Sequence, residues 1–465
     1  MGLSLNPINL PTGIRGDVNT PKQQEFLVNL FVERGERPTA SARPGIVSKG
    51  EIYGKTRGQI FFNNAIYRIS ADKIFKLTIN VSGNVIAEEQ AGTITGSADV
   101  VLVASFTQLF IGVKGGDSFV ISVDDNGVET FDAVPAFNGT GGLKPVRDCE
   151  FLDSRFVAVP FDGGPIQWSK VGDAREWPIE NRSDAEQLPD DNFQIIENDG
   201  LLLVGGERSI ERLNYDPQRN IYASASQGRS DHGVVSDFAR FYGGIVYLGK
   251  YENGQVSVFN YGNDIPISSK GVDEILNQYT VDELRNVRVE SFTWRGQNMV
   301  TWRLPEETLY YYGDFGTIKT GVSGNFKGVW AGQYIASLGG RLLCGDNQTN
   351  RIGLLSDVSE DYGEQVEYVL RTYLRGTPRD NFRVGRIAAS VTTGQSNEPH
   401  TIALSVSEDG VQGYRNNERY EDLGPVGVFN NEISWQQIGN FDNFCGIQLR
   451  WVTDIKVPMD ALHYE

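Results

Sequence analysis

Seven short apolar strands, each preceded by a turn-forming dipeptide, recur at nearly equal intervals along this chain, and nothing else restricts its fold as tightly. The strands are Ala65-Ile66-Tyr67, Leu109-Phe110-Ile111, Arg155-Phe156-Val157, Leu201-Leu202-Leu203, Ile245-Val246-Tyr247, Asn298-Met299-Val300 and Arg341-Leu342-Leu343. Their first residues are separated by 44, 46, 46, 44, 53 and 43 positions. The preceding dipeptides are Asn63-Asn64, Thr107-Gln108, Asp153-Ser154, Asp199-Gly200, Gly243-Gly244, Gly296-Gln297 and Gly339-Gly340. Most of them tolerate the positive φ that a tight hairpin demands. Further strand-like runs flank each core, such as Ile60-Phe61-Phe62 before the first and Phe119 to Val123 after the second. Three or four short strands per ~45 residues predict the blades of a β-propeller. The expected class is mainly β, with about seven blade-like units over residues 55–357.

The one long interval has a local cause. Between 270 and 287, Val272, Ile275, Leu276 and Tyr279, then Val281, Leu284 and Val287, recur at helical spacing. Thr280 and Glu283 form a capping-box pattern that starts a second short helix. A helical pair is therefore expected between the fifth and sixth units, decorating a face or rim of the disc. Residues 1–54 read as an irregular arm with one apolar strand, Phe26 to Val32, fit to close the ring or reach a neighbour. Residues 358–465 break the repeat with longer alternating strands at 366–375, 385–392, 401–406, 433–438 and 446–453, which suit a small β-sandwich.

Little in the sequence suggests chemistry. The three cysteines, Cys149, Cys344 and Cys445, lie far apart and form no CxxC pair, so buried thiols are expected rather than a disulfide framework or zinc site. No apolar run reaches the ~18 residues of a membrane span, and the first 19 residues lack a leader pattern. Of three histidines, only His232 lies beside both a serine and an aspartate, Ser230 and Asp231, but triads are assembled from distant segments. Asp153, Asp199 and Glu290 recur at related unit positions as candidate paired carboxylates, although turns select Asp for its backbone bonding. Asp124-Asp125-Asn126-Gly127 lacks the later Glu of a calcium loop. Ser407-Glu408-Asp409-Gly410 is half of a turn motif seen in sialidases. The expected catalytic, cofactor and metal sites are accordingly none. Arg371, Arg375, Arg379, Arg383 and Arg386 form a loose basic cluster on a strand-and-loop face. The net charge of −18 disfavours a nucleic-acid reader and suits a soluble surface, or a wall past which nucleic acid slides.

Several segments together resemble the packaged-DNA stabilisation proteins of short-tailed phages, also called tail hub or nozzle proteins. They are Phe26 to Leu30, Arg43-Pro44-Gly45-Ile46, Pro145-Val146-Arg147-Asp148, and Asn198 to Leu201 running into Gly205 to Glu211. They continue with Ile275 to Leu284, Trp435, and Ile447 to Arg450. The resemblance implies a structural virion protein without catalysis. It would form a homo-hexameric ring below the portal and its adaptor, extend the DNA channel, retain the packaged genome, and dock tail spikes or fibres and a plug. Duplex DNA would pass through without being read. The alternative is a glycan-binding or glycan-degrading propeller, which needs carboxylates or aromatics converging at its centre. A protein-interaction propeller of the cell would carry periodic Gly-His and Trp-Asp pairs, which are missing here.

Overall fold

The computed structural model describes residues 6–14, 25–33, 38–183, 190–225, 230–242, 244–262, 265–312, 316–319 (backbone only), 328–346, 348–376, 381–396, 398–410, 414, 418–429 and 432–465. Arg379 of the basic cluster and Gly243 of the fifth dipeptide lie outside them. Each of the seven units forms an antiparallel sheet. The first runs 56–62, 65–70, 73–79 and 85–90, with neighbours in sequence paired in space. The seven strands recognised in the sequence are the second strands: 65–70, 108–113, 155–160, 201–206, 244–250, 297–303 and 341–345.

The turns show why those dipeptides are there. Asn63 and Asn64 have φ of 45° and 59°, Asp153 and Ser154 52° and 59°, Asp199 and Gly200 52° and 76°. Two successive positive φ values match the right-handed strand twist. Three expectations shift: in the fifth unit Gly244 already belongs to the strand, and Tyr242 before it has φ of 47°. In the sixth unit the turn is Arg295-Gly296, because Gln297 already belongs to the strand. In the second, Gln108 opens the strand and Ser105 Oγ accepts its N–H at 3.0 Å.

The apolar clusters lie between sheets. Tyr67 and Ile69 meet Leu109 and Ile111. Phe110 meets Phe156 and Trp177, and Val157 and Trp168 meet Leu202 and Tyr222. Leu203 meets Ile245, and Val246 meets Val300 and Trp302. Ile66 and Leu77 meet Leu338 and Leu343, which joins the first sheet to the seventh. A sheet packed on both faces hides every position of its central strands, as 65–70 does. The arrangement is a propeller closed into a ring.

Strand 45–51 completes the seventh blade by pairing antiparallel with 351–356, Val47 opposite Leu354 and Ile46 opposite Leu355. Gly45 is required for that approach, since a Cβ there would stand 2.3 Å from the Val358 carbonyl oxygen. In the fifth blade the first strand is split into 233–234 and 239–241, both paired with 244–250, and among the described residues no strand of this blade follows 256–260; the helical insertion lies there instead. Helices 270–276 and 281–285 are capped by Ser269 and by the Thr280–Glu283 box. The Asn277 amide accepts from Val256 N and donates to Val256 O, both at 2.9 Å, as a neighbouring strand would. Ser268 Oγ accepts from Val258 N at 3.0 Å.

The C-terminal sandwich packs one sheet (26–28, 367–375, 444–452, 401–407, 419–422) on another (6–8, 30–33, 39–42, 459–464, 381–391, 432–442). The first sheet continues into the sixth blade, because strand 26–28 lies between 316–319 and 367–375. The single strand expected from Phe26 to Val32 is in fact two. Asn29, with φ of 59°, breaks it and sends the halves to opposite sheets.

Candidate functional site

Around the propeller axis, the inner strand of each blade would leave backbone N–H groups without partners. Carboxylates of the preceding blade satisfy several of them. Asp148 Oδ2 accepts from Ile195 N at 3.0 Å, and Glu150 from Glu197 N at 3.3 Å. Glu290 accepts from Tyr334 N at 2.8 Å and Ile335 N at 3.2 Å, and pairs with Arg288. The Arg288 guanidinium lies 3.7 Å from the Tyr334 ring centre, and Tyr334 donates its hydroxyl to Asp99 at 3.0 Å. Asp237 accepts from Gln194 Nε2 at 2.6 Å and pairs with Lys114. Burial pushes the Asp148 carboxyl up to about 7, and the nearby Asp237 charge adds to this. Burial also raises Glu150. The axial acids thus rivet blade to blade.

Glycoside cleavage needs two carboxylates free to flank one sugar. Of the three candidates, Glu290 has its oxygens taken by two N–H groups and a guanidinium, while Asp153 and Asp199 occupy left-handed turns. They serve backbone geometry. His232 stacks on Phe259 at 4.6 Å and meets Tyr251 edge-on. Asp124 Oδ1 accepts from Asn126 N and Val128 N, closing its own turn. Ser407 and Asp409 close another. The arginines divide between the two sandwich sheets. Arg371 stacks on Phe26 and Tyr414 in one, and Arg386 pairs with Glu432 in the other. Arg375 and Arg383 lie on strands 367–375 and 381–391. Among the described residues no three His, Cys, Asp or Glu side chains gather as a metal site. All three cysteines are buried and unpaired. Among the described residues no helix is long and apolar enough to cross a membrane.

The joint between propeller and sandwich carries a fully buried ion pair. Arg43 and Asp361, 1% and 0% exposed, form a two-pronged pair at 3.0 and 2.6 Å. Arg43 Nε also donates to Asn29 Oδ1 at 2.8 Å, and its guanidinium lies 5.5 Å from the Trp330 ring centre. Asn29 Nδ2 donates to Glu367 O at 2.7 Å. A fixed fork matches a carboxylate in two places at once, so the pair sets orientation as well as energy. No periodic signal marks Asp361 in the sequence. Arg43 could be found only through the motif that contains it.

Two clefts open on the propeller. One, of about 970 Å³, lies between the 251–255 hairpin and helix 270–276, with His232, Tyr251, Asp273 and Asn277 in its wall. The other, of about 710 Å³, opens between the sixth and seventh blades, over Phe292, Trp294, Ile335, Leu342, Leu354 and Leu355.

Residues 8–360 match the family model described as bacteriophage P22 Gp10, beta-propeller, and residues 367–465 match its beta-sandwich counterpart. The tail hub protein gp10 of Salmonella phage P22 is 24% identical over 451 residues, covering 90% of this chain and 89% of that protein. The structure of PorZ, a surface component of the type-IX secretion system of Porphyromonas gingivalis, aligns with 75% of this chain and 44% of its own. Its identity is 11% and its TM-score 0.39, too loose a likeness to bear on function.

Proposed function

This chain belongs to the bacteriophage P22 Gp10 family, and we propose that, as a structural tail hub protein of the phage virion, it works as one of six copies in a ring. In this reading the ring sits below the portal and its adaptor and extends the DNA channel. It helps retain the genome, and tail spikes or fibres and a plug dock on it. One observation carries the reading: the ring-closing strand and the nine-stranded sheet shared with the sandwich make the chain a single stiff block. A closed propeller has few exposed strand edges, so it suits the rigid body of an assembly subunit. Six copies on one axis need head-to-tail contacts that close. A net charge of −18 suits a channel wall that duplex phosphates neither bind nor stall against. Cryo-EM of virions tests the placement, and light scattering of the pure protein with a portal–adaptor complex tests the recruitment. A chain that stays monomeric and never joins that complex overturns the proposal.

A further inference from the structure

The sandwich presents an apolar loop whose shape is fixed before it meets anything. Val426, Val428 and Phe429 are 54%, 53% and 70% exposed, and Tyr420 at the loop's base is 57% exposed. Large apolar side chains grouped in this way mark interaction surfaces. The loop's backbone is clamped. Leu423 N donates to His400 O at 2.9 Å, Gly394 N to Leu423 O at 3.3 Å, and Gly427 N to Gly394 O at 3.0 Å. Val428 N donates to Pro425 O at 3.1 Å, and Thr393 Oγ1 to Val428 O at 3.4 Å. Beneath it, Asp454 holds both Ser396 and His400. A preorganised loop forfeits little entropy on docking, so its exposed side chains can spend their burial on affinity.

On the same chain, the cleft between the sixth and seventh blades has the complementary character. Its floor is Phe292, Trp294, Ile335, Leu342, Leu354 and Leu355, and at its rim stand Arg295, already paired with Glu33 and Asp357, and Arg341. Its volume of about 710 Å³ is in the range that takes a cluster of side chains. Arg341 donates to the Gly83 carbonyl, and no carboxylate pairs with it among the described residues. The loop brings the opposite sign, with Glu421 and Asp422 immediately before it.

We infer that loop 423–429 of one copy seats in the cleft between the sixth and seventh blades of the next, with Glu421 and Asp422 facing Arg341. A convex patch and a concave patch on one chain pair head to tail, and such contacts generate rings when the rotation closes. The inference rests on the ring reading above and supplies it with a contact.

The test mixes two full-length proteins, one carrying Val428→Cys and the other Ser337→Cys, under mild oxidation. The native cysteines are all buried. A disulfide-linked pair is expected in the mixture and in neither protein alone. Phe429→Ala should weaken assembly at least tenfold while leaving the far-UV spectrum unchanged. If the wild-type chain forms rings but the mixture gives no linked pair and Phe429→Ala assembles normally, this contact is wrong and the ring stands. If the wild-type chain never assembles, alone or on a portal–adaptor complex, the ring reading falls and the contact with it.

Discussion

Replacing Asp361 by alanine should destabilise the whole molecule, because it strands a buried cation. Arg43 is 1% exposed and holds Asp361 by two bonds. After the change, its guanidinium retains Asn29 Oδ1, the Pro44 carbonyl at 2.9 Å and the Trp330 face. These neutral partners do not offset a full charge removed from water. Breaking one side of such a pair costs about 3–5 kcal/mol, whereas an apolar replacement of both partners is often nearly neutral. With an m-value of about 3 kcal/mol/M, the urea midpoint should fall by roughly 1–1.7 M. Trp330 lies in the same cluster, so tryptophan fluorescence reports the event directly. Arg43→Met combined with Asp361→Leu should recover most of the loss. The reasoning fails if Asp361→Ala unfolds within about 1 kcal/mol of wild type, or if the double replacement is as damaging as the single one.

Other consequences are equally specific. Asn277→Ala leaves Val256 N–H and C=O without their amide partner, so it should cost about 1–3 kcal/mol and speed hydrogen exchange at Val256. Gly394→Ala should lower stability by about 1–3 kcal/mol, measurable by thermal shift, because φ is +74° and the new Cβ would stand 2.6 Å from the Val428 oxygen. The fold holds Asp148 at about 7, against about 3.9 in an unfolded chain, so it favours the protonated acid. That contribution is full below about pH 4 and is lost as pH rises through about 7. Asp237→Asn removes the charge that adds to this, so the variant should gain stability relative to wild type at pH 8 compared with pH 5. Parallel urea curves at the two pH values would show it, and an unchanged difference would count against the axial coupling.

The propeller was legible because each blade is local. Hairpins of neighbouring strands, turns that demand positive φ at Asn63-Asn64 or Asp199-Gly200, and apolar second strands all write themselves at short range. The helical pair was legible for the same reason, through the capping box at Thr280 and Glu283. The long-range joints were not. Strand 45–51 is an ordinary segment until it meets 351–356, some 300 residues later. Phe26 to Val32 looks like one strand because its apolar run is unbroken, and only the left-handed turn at Asn29 divides it. The axial role of Asp148 depends on a neighbouring blade. The motif Arg43-Pro44-Gly45-Ile46 acquires its reason only in space: a buried ion pair, a close approach without room for Cβ, and the closing strand.

The most direct test of the hub account is the mass of the native assembly, measured by light scattering or native mass spectrometry, alone and with a portal–adaptor complex. The account predicts six copies of the 51.5 kDa chain in a closed ring, either in isolation or on the adaptor. A strict monomer under both conditions would contradict it.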